Sequence, residues 1–303
     1  MATTSKTNPG TAKAEAGRLA PTPRARVLAH LPLADRRLHL NGISTAVWEG
    51  GEGLPLILLH GPGEHAAKWL RVVPKLILTN RVIAPDLPGH GSSDPIEGDF
   101  TPERVLGWLE DLIECTCFRP PVLVAQILSG AVASRFAAVQ GRRLSGLVLV
   151  DSLGLAPFAP DPRFGQALME FLGEPTAETH DRLWSRCAYD LESLRRDMGE
   201  QWEELKAYNL DRARTPELQG TQQALMEQFG FPPISPEELE RIGVPTVLIW
   251  GRHDLATDLS VAQAASDRYG WPLHVIEDAG DDPAMEQPDA FVAALRRALG
   301  RGD

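Results

Sequence analysis

The chain has few cysteines and no long apolar run. Its three cysteines, Cys115, Cys117 and Cys187, are an odd number without a C-x-x-C pair, so disulfide bonds and a zinc site are not expected. No apolar stretch approaches the roughly 20 residues that cross a bilayer, and residues 1–26 lack the apolar centre of a secretory signal. These absences predict a cytoplasmic protein without a membrane partner.

Positive charge is also scarce. Lysine and arginine number 30 against 41 acidic residues, which gives a formal charge of -11. Nucleic-acid-binding proteins present a basic face, so no nucleic-acid partner is expected. The sequence contains neither a dinucleotide fingerprint nor a P-loop, and its histidines and acids have no metal-ligand spacing. We therefore expect no cofactor and no metal.

From residue 36 onward, short apolar segments alternate with helix-length amphipathic ones, whereas residues 1–23 have too few apolar residues to order and are predicted to be a disordered tail. Strands are predicted at residues 37–40, 44–49, 56–59, 81–84, 122–125, 147–150, 246–250 and 273–276. Helices are predicted at residues 102–117, 128–140, 259–269 and 288–299. This alternation predicts an α/β fold, a mainly parallel sheet with helices on both faces.

An aromatic-rich segment interrupts the alternation between the sixth and seventh strands. Residues 152–236 are predicted to form a helical lid, or cap, inserted into a core of residues 24–151 and 237–303. Three aromatic residues of this segment are candidates to line a pocket beneath it: Phe164, Trp184 and Tyr189. Such a pocket predicts a small, largely apolar ligand.

Four short motifs follow the predicted strands in a recognisable order. They are His60-Gly61-Pro62-Gly63 after the third strand, APDLPGHGSSD at residues 84–94, IWGRHD at residues 249–254 and EQPDAF at residues 286–291. With these motifs and its lid, the chain resembles the α/β-hydrolase superfamily over about residues 36–300. The resemblance implies an α/β-hydrolase fold with an eight-stranded, mainly parallel sheet and a helical lid after strand 6.

The resemblance also assigns catalytic positions, and two of the three hold residues unable to perform the family's chemistry. Residues 122–133 have the apolar run, turn and small-residue helix of a nucleophile elbow, but Ile127 stands at the nucleophile position. Asp281 stands where the family has its histidine, and Asp254 matches the acid that orients this histidine. The sequence therefore predicts that the Ser-His-acid triad is missing.

The loop that stabilises an oxyanion in the family is altered as well. The family takes one N–H from the residue after His-Gly, here Pro62, which has none, and another from the residue after the nucleophile, here Leu128. The elbow also requires positive φ, where a β-branched residue is strained, so we expect a relaxed bend at Ile127. The candidate residues of this loop and the pocket floor are His60, Gly61, Pro62, Gly63, Gln126, Leu128 and Ser129.

Other side chains could supply chemistry in place of the triad. Ser129 could be a displaced nucleophile, although its simpler role is to bond the start of a helix. His65 could act as a base. Asp254 and Asp281 would repel each other in an apolar site, which raises the pKa of one of them, and the pair could act as general acid and base. The alternative for Asp281 is a solvated turn.

Three functions remain open from the sequence. The first is a noncovalent acid/base enzyme, namely a lyase, isomerase, decarboxylase or cyclase, because one fold hosts many chemistries. The second is a non-catalytic ligand-binding pseudoenzyme. The third is a hydrolase that uses Ser129 or whose active site was altered by engineering. In each, the expected partner is a small apolar or amphipathic molecule under the lid, and the sequence gives no expectation for the oligomeric state.

Overall fold

A single sheet organises the protein in the computed structural model, which describes residues 21–300. Its eight strands have the order β1-β2-β4-β3-β5-β6-β7-β8. They are β1 (Ala34–Leu40), β2 (Ile43–Gly50), β3 (Leu54–Leu59), β4 (Asn80–Pro85), β5 (Val122–Gln126), β6 (Gly146–Val150), β7 (Thr246–Gly251) and β8 (Leu273–Ile276). β2 runs antiparallel to β1 and β4, and all other neighbours are parallel. The predicted α/β-hydrolase sheet is confirmed.

Helices enclose the sheet because its central strands are apolar on both faces. Successive residues of β3 enter two separate cores: Ile57 and Leu59 pack in one, Leu56 and Leu58 in the other. The helices are α1 (Pro23–Leu28), α2 (Val73–Leu76), α3 (Pro102–Thr116), α4 (Leu128–Gln140), α5 (Pro162–Gly173), α6 (Ala177–Cys187), α7 (Leu191–Met198), α8 (Glu200–Ala213), α9 (Pro216–Leu225), α10 (Pro236–Leu239), α11 (Leu259–Tyr269), α12 (Pro283–Glu286) and α13 (Pro288–Ala298).

Helices α5 to α9 and a π-helical turn at Met226–Gly230 lie between β6 and β7, and we call residues 162–230 the lid. Aromatic rings form its interior. Trp184 of α6 meets Trp202 of α8 edge to face with ring centroids 5.0 Å apart. His180 lies 6.0 Å from both of these rings. The lid is thereby a packed layer, held by aromatic contacts, above the carboxyl ends of the central strands.

The amino-terminal part of the described chain also supports the lid. Residues 1–20 of the predicted disordered tail lie outside the described residues, and α1 begins at Pro23, the last residue of that predicted tail. Arg24 of α1 donates to Asp86 at 2.5 Å and lies over the ring of Trp48 at 4.8 Å. Since α1 packs against α8, it connects the core to the lid. Within residues 21–300, no helix combines the length and apolarity needed to cross a membrane.

Candidate functional site

A sharp bend joins β5 to α4 at Ile127, which has φ 49° and ψ -111°. The expected relaxation of this bend is wrong, because neighbouring backbone holds it. The Ile127 N–H donates to the carbonyl oxygen of Val150 at 3.0 Å, and the Ile127 carbonyl accepts from the N–H of Leu153 at 3.0 Å. Positive φ at a β-branched residue costs about 1–3 kcal/mol and persists only where the surroundings enforce it. The geometry of a nucleophile elbow is therefore kept with an aliphatic side chain at its apex.

Ser129 is part of the structure that enforces the bend. Its hydroxyl accepts from the N–H of Gln126 at 2.9 Å and lies 2.8 Å from the carbonyl oxygen of Leu59. The side chain is fully buried, and it is not among the residues that line the cavity described below. The hydroxyl thus bonds backbone on both sides, and it contacts no imidazole among the described residues.

A cavity of about 140 Å³ lies between the bend and the lid. Ile127 lines it from the floor, together with Pro62 and Gly63 from the loop after β3. Phe164 and Trp184 line it from the lid, as the sequence suggested. Tyr189, the third aromatic candidate, does not line it. Its ring is half exposed and stacks on His253 with ring centroids 4.4 Å apart.

The polar end of the cavity is acidic. Asp281, Asp282 and Glu64 line it. The buried ammonium of Lys68 pairs with Asp282 and with Glu64, the latter at 2.6 Å. Burial alone would lower the pKa of Lys68, but the two carboxylates raise it above its usual value. Burial raises the pKa of Asp282 to about 6 against the opposing charge of Lys68. Lys68, Glu64 and Asp282 thereby form one ion-pair network, in which each charge has a partner of opposite sign.

Asp281 differs from its neighbour Asp282 because its carboxyl has no hydrogen bond or ion pair with any residue between 21 and 300. Its backbone is fixed: its N–H donates to Cys187 O at 3.0 Å, and the Gln126 amide donates to its carbonyl oxygen at 2.6 Å. The side chain is only 4% exposed, so it does not belong to a solvated turn. Burial raises the pKa of Asp281 well above its usual value, and the charges of Asp282 and Asp254 raise it further.

Asp254 has its carboxylate occupied by its own loop. It accepts from the N–H groups of Ala256 at 2.6 Å and Thr257 at 2.9 Å, and from the Thr257 hydroxyl. Burial raises its pKa to about 7, against these bonds. Asp254 does not line the cavity. Of the two carboxyl groups considered as an acid and base pair, only that of Asp281 therefore faces the cavity.

Asp151 is a further buried acid that sequence reasoning missed. It follows β6 directly with φ 45°, and one carboxyl oxygen accepts from the N–H of Gly251 at 2.8 Å. The other oxygen is buried without a partner. Burial, together with the charge of Asp254, raises its pKa well above the usual value. Its position was detectable, because side chains at the carboxyl ends of parallel strands meet at one edge.

Two histidines of the loop after β3, His60 and His65, are buried and held by neighbouring residues. His60 Nε2 accepts from the N–H of Leu87 at 3.0 Å, and its Nδ1 lies 2.8 Å from the Gly61 carbonyl oxygen. Burial lowers the pKa of His60 to about 4. His65, considered above as a base, does not line the cavity. Its buried ring stacks on Tyr208 with centroids 3.7 Å apart, and burial lowers its pKa well below the usual value.

The loop after β3 offers no free backbone N–H to an oxyanion at Gly61 or Pro62. Pro62 offers no N–H, and the N–H of Gly61 donates to the Glu64 carboxylate at 2.8 Å. Leu128 begins α4, where the first N–H groups have no partner within the helix. At most a single donor, from Leu128, remains of the pair that the resemblance implied.

The lid contributes an imidazole that the sequence did not single out. His180 lines the cavity, and its Nε2 accepts from the Asn209 amide at 3.2 Å. Its Nδ1 lies 3.5 Å from a carboxylate oxygen of Asp181. Burial lowers the pKa of His180 to about 4. The ring is therefore neutral, with one nitrogen already bonded. Among residues 21–300, no group of three or more histidine, cysteine or acidic side chains has metal-binding geometry.

Strand order, the sharp bend after β5 and the lid between β6 and β7 together define an α/β-hydrolase architecture. A model of the alpha/beta hydrolase family matches residues 56–294, and the chain belongs to this family.

Curated relatives with hydrolase names extend over most of the chain. A 2-hydroxy-6-oxo-6-(2'-aminophenyl)hexa-2,4-dienoic acid hydrolase of Metapseudomonas resinovorans is 26% identical over 88% of this chain and 91% of its own. A pimeloyl-[acyl-carrier protein] methyl ester esterase of Aeromonas hydrophila is 26% identical over 85% of this chain and 100% of its own. One relative is thus named a hydrolase of a dienoic acid and the other a methyl ester esterase.

Solved structures agree on the fold. A thermophilic esterase from Thermogutta terrifontis superimposes with a TM-score of 0.72 at 26% identity, covering 88% of this chain and 98% of that one. The 2-hydroxy-6-oxo-6-phenylhexa-2,4-dienoate hydrolase of Rhodococcus sp. strain RHA1 gives a TM-score of 0.77 at 22% identity, covering 89% and 99%.

Proposed function

We propose that this protein binds a compact, largely apolar molecule noncovalently beneath its lid and forms no acyl-enzyme. The observation that carries the proposal is the aliphatic side chain of Ile127 at the apex of a fully retained elbow, facing the cavity. An alkyl group has no lone pair with which to attack a carbonyl carbon. The same side chain adds to the apolar surface that a ligand would bury.

The other nucleophilic side chains near the bend do not replace it. The Ser129 hydroxyl is hydrogen-bonded to the backbone of Gln126 and Leu59. Cys187 lines the cavity, but burial and the charges of Asp281 and Asp282 raise the pKa of its thiol well above the usual value. Since the thiolate is the reactive form, Cys187 is inert at neutral pH.

One of the curated relatives is named for a dienoic acid. We propose that this protein does not take such acids. A ligand carboxylate would approach Glu64, Asp281 and Asp282, while none of the lysines and arginines between residues 21 and 300 lines the cavity. Burying like charges together is unfavourable unless each is paired.

A second candidate function is noncovalent acid/base catalysis by Asp281 alone. The specific observation in its favour is a buried, unpaired carboxyl whose pKa is raised, since such groups serve as general acids near neutral pH. Asp254 would influence it only through its charge, because its own carboxylate is bonded to Ala256 and Thr257.

Ester hydrolysis tests the main proposal. We expect the native protein and Ile127→Ala to turn over a chromogenic acetyl ester at the same background rate. The double variant Ile127→Ser, Asp281→His places a hydroxyl and an imidazole at two positions that line the cavity, and we expect it to be roughly 100-fold faster than either single variant. Burst kinetics in the native protein, abolished by Ser129→Ala, would instead establish a displaced nucleophile.

Binding and conversion are separated by incubating the native protein with a panel of small neutral molecules. Each mixture is then analysed by mass spectrometry and thermal denaturation. Ligands that raise the melting temperature and return unchanged support a binding protein. Conversion that Asp281→Asn abolishes without abolishing the thermal shift supports the second candidate. A panel with neither effect argues against both.

A further inference from the structure

We propose that the cavity selects a molecule with a primary ammonium group on a compact apolar body, with the ammonium group against Asp281. This inference rests on the proposed function and names the chemical class of its ligand. It concerns the one polar side chain of the cavity that lacks any partner in the described chain.

Asp281 is positioned as an anchor for a ligand. Its main chain is bonded to Cys187 and to the Gln126 side chain, so the carboxyl is fixed at the cavity wall. The side chain is buried yet has no donor among residues 21–300. A buried polar group without a hydrogen bond is costly, and a donor on a ligand would remove that cost.

The charge of the surroundings favours a cation as this donor. The positive charge of Lys68 acts on Asp281, but its ammonium is already paired with Glu64 and Asp282. Within the described part of the chain, three acids and no lysine or arginine line the cavity. Burial keeps the His180 imidazole neutral at physiological pH, because it lowers its pKa to about 4. An incoming ammonium would therefore complete a second ion pair beside the first.

The rest of the cavity suits a small apolar body. Phe164, Phe171 and Trp184 line it, and aromatic faces attract cations as well as burying apolar groups. The volume of about 140 Å³ is close to that of the engineered apolar cavity of about 150 Å³ that binds benzene. One aromatic ring, or an aliphatic group of similar size, with an aminomethyl group is the matching ligand.

Proton balance gives the proposal a second signature. Burial raises the pKa of Asp281, and the charges of Asp282, Asp254 and Glu64 raise it further, whereas the charge of Lys68 lowers it. Asp151 and this carboxyl also interact through their charges. An alkylammonium ion against Asp281 favours the carboxylate form, so a proton on that carboxyl passes to the buffer when the ion binds, and the ion keeps its own three hydrogens. Affinity should therefore rise with pH until the carboxyl is ionised in the free protein.

Calorimetry with three probes of one shape tests the inference: benzylamine, benzyl alcohol and benzoate. We expect the native protein to bind benzylamine roughly 10-fold or more tightly than benzyl alcohol and to bind benzoate least. Titrations in buffers of different ionisation enthalpy should report proton release when benzylamine binds and none when benzyl alcohol binds. Asp281→Asn should bind the amine and the alcohol equally. Asp258→Asn is the matched control, because it removes one charge from the exposed amino end of α11 and keeps a good helix cap.

The outcomes separate the two proposals. Equal binding of amine and alcohol by the native protein, or tighter binding of benzoate, overturns the ammonium proposal while supporting a small-molecule cavity. An amine preference that survives in Asp281→Asn, or that Asp258→Asn removes, overturns it also. If none of the three probes binds, and phenol and cyclohexylamine do not bind either, the result argues against the proposed function itself.

Discussion

The bend at Ile127 and the loop at Asp281 lie at the same edge of the sheet. Both have a well-bonded backbone, but they differ in the chemistry of the side chain that each presents. At the bend every backbone contact is made, through Val150 and Leu153, while the side chain is chemically inert. At the loop the backbone is equally well bonded, but the side chain is a titratable carboxyl with no partner among the described residues. Geometry is kept in both regions, and only the second keeps a reactive group.

This difference shows where the shape of a catalytic centre is encoded. The strained backbone at Ile127 is imposed by β6 and by Ser129, which are separate from the residue at the apex. The fold can therefore hold an elbow without a nucleophile. At Asp281, by contrast, the local chemistry depends on burial and on the charges of neighbouring side chains, among them Asp282, Asp254 and Lys68.

Removing Lys68 should break the acidic region most severely. Lys68→Met leaves Glu64 and Asp282 in a buried site without their cation, and removal of one partner of a buried ion pair costs about 3–5 kcal/mol. We expect a loss of that size in the free energy of unfolding, measured by urea denaturation at pH 7.5. The matched control is Lys75→Met, which removes an exposed pair with Asp289 and should change stability by less than about 1 kcal/mol. Similar losses for the two variants would show that Lys68 does not stabilise the acidic group.

The pH dependence of stability should report the same region. Asp151 and Asp281 have pKa values raised well above the usual range by burial. The folded protein therefore holds protons on these acids more tightly than the unfolded chain does, so they make stability fall as pH rises. Asp254 and Glu286, whose pKa values burial raises to about 7, act in the same direction. A proton held only by the folded state corresponds to about 1.4 kcal/mol per pH unit, and we expect a loss of about 1–2 kcal/mol between pH 7.5 and 8.5.

The buried histidines act in the opposite direction near pH 6.5. Burial lowers the pKa values of four of them, so they are neutral in the folded protein while the unfolded chain is about half protonated at each of them at pH 6.5: His60, His65, His90 and His180. This difference is largely gone above about pH 7.5, so thermal denaturation at pH 7.5, 8 and 8.5 checks the prediction. Asp281→Asn should reduce the slope and Asp258→Asn should not. Stability that rises with pH over this range in the native protein would refute it.

The fold was predictable because hydrophobic periodicity reports which face of each element is buried. Eight strands and the interrupting helical segment follow from that pattern, although β1 begins at Ala34, before the first predicted strand residue. Short helices such as α2 and α12 were missed because about one turn carries no periodic signal.

Sequence could predict a site residue only where its position is fixed by a local motif. Ile127 and Asp281 could be located from local motifs, and both line the cavity. The pairing of Lys68 with Asp282 joins residues far apart in the chain, so no local pattern announces it. The strain at Ile127 was misjudged because the bonds that enforce it come from β6, outside the motif itself.

The smallest expected effect tests whether the hydrogen bonds of Ser129 help to hold the bend at Ile127. Ser129→Ala leaves the buried N–H of Gln126 without its acceptor and should lower the free energy of unfolding by about 1 kcal/mol. Ser134→Ala lies on the same helix and is the matched control, because its fully buried hydroxyl has no partner in the described chain. Replacing it should be neutral or slightly stabilising, since no hydrogen bond is lost and an unsatisfied polar atom is removed. Urea denaturation of both variants at one pH gives the comparison. If Ser129→Ala were as stable as Ser134→Ala, the bend would be held by β6 alone, and the serine would be free to serve another purpose.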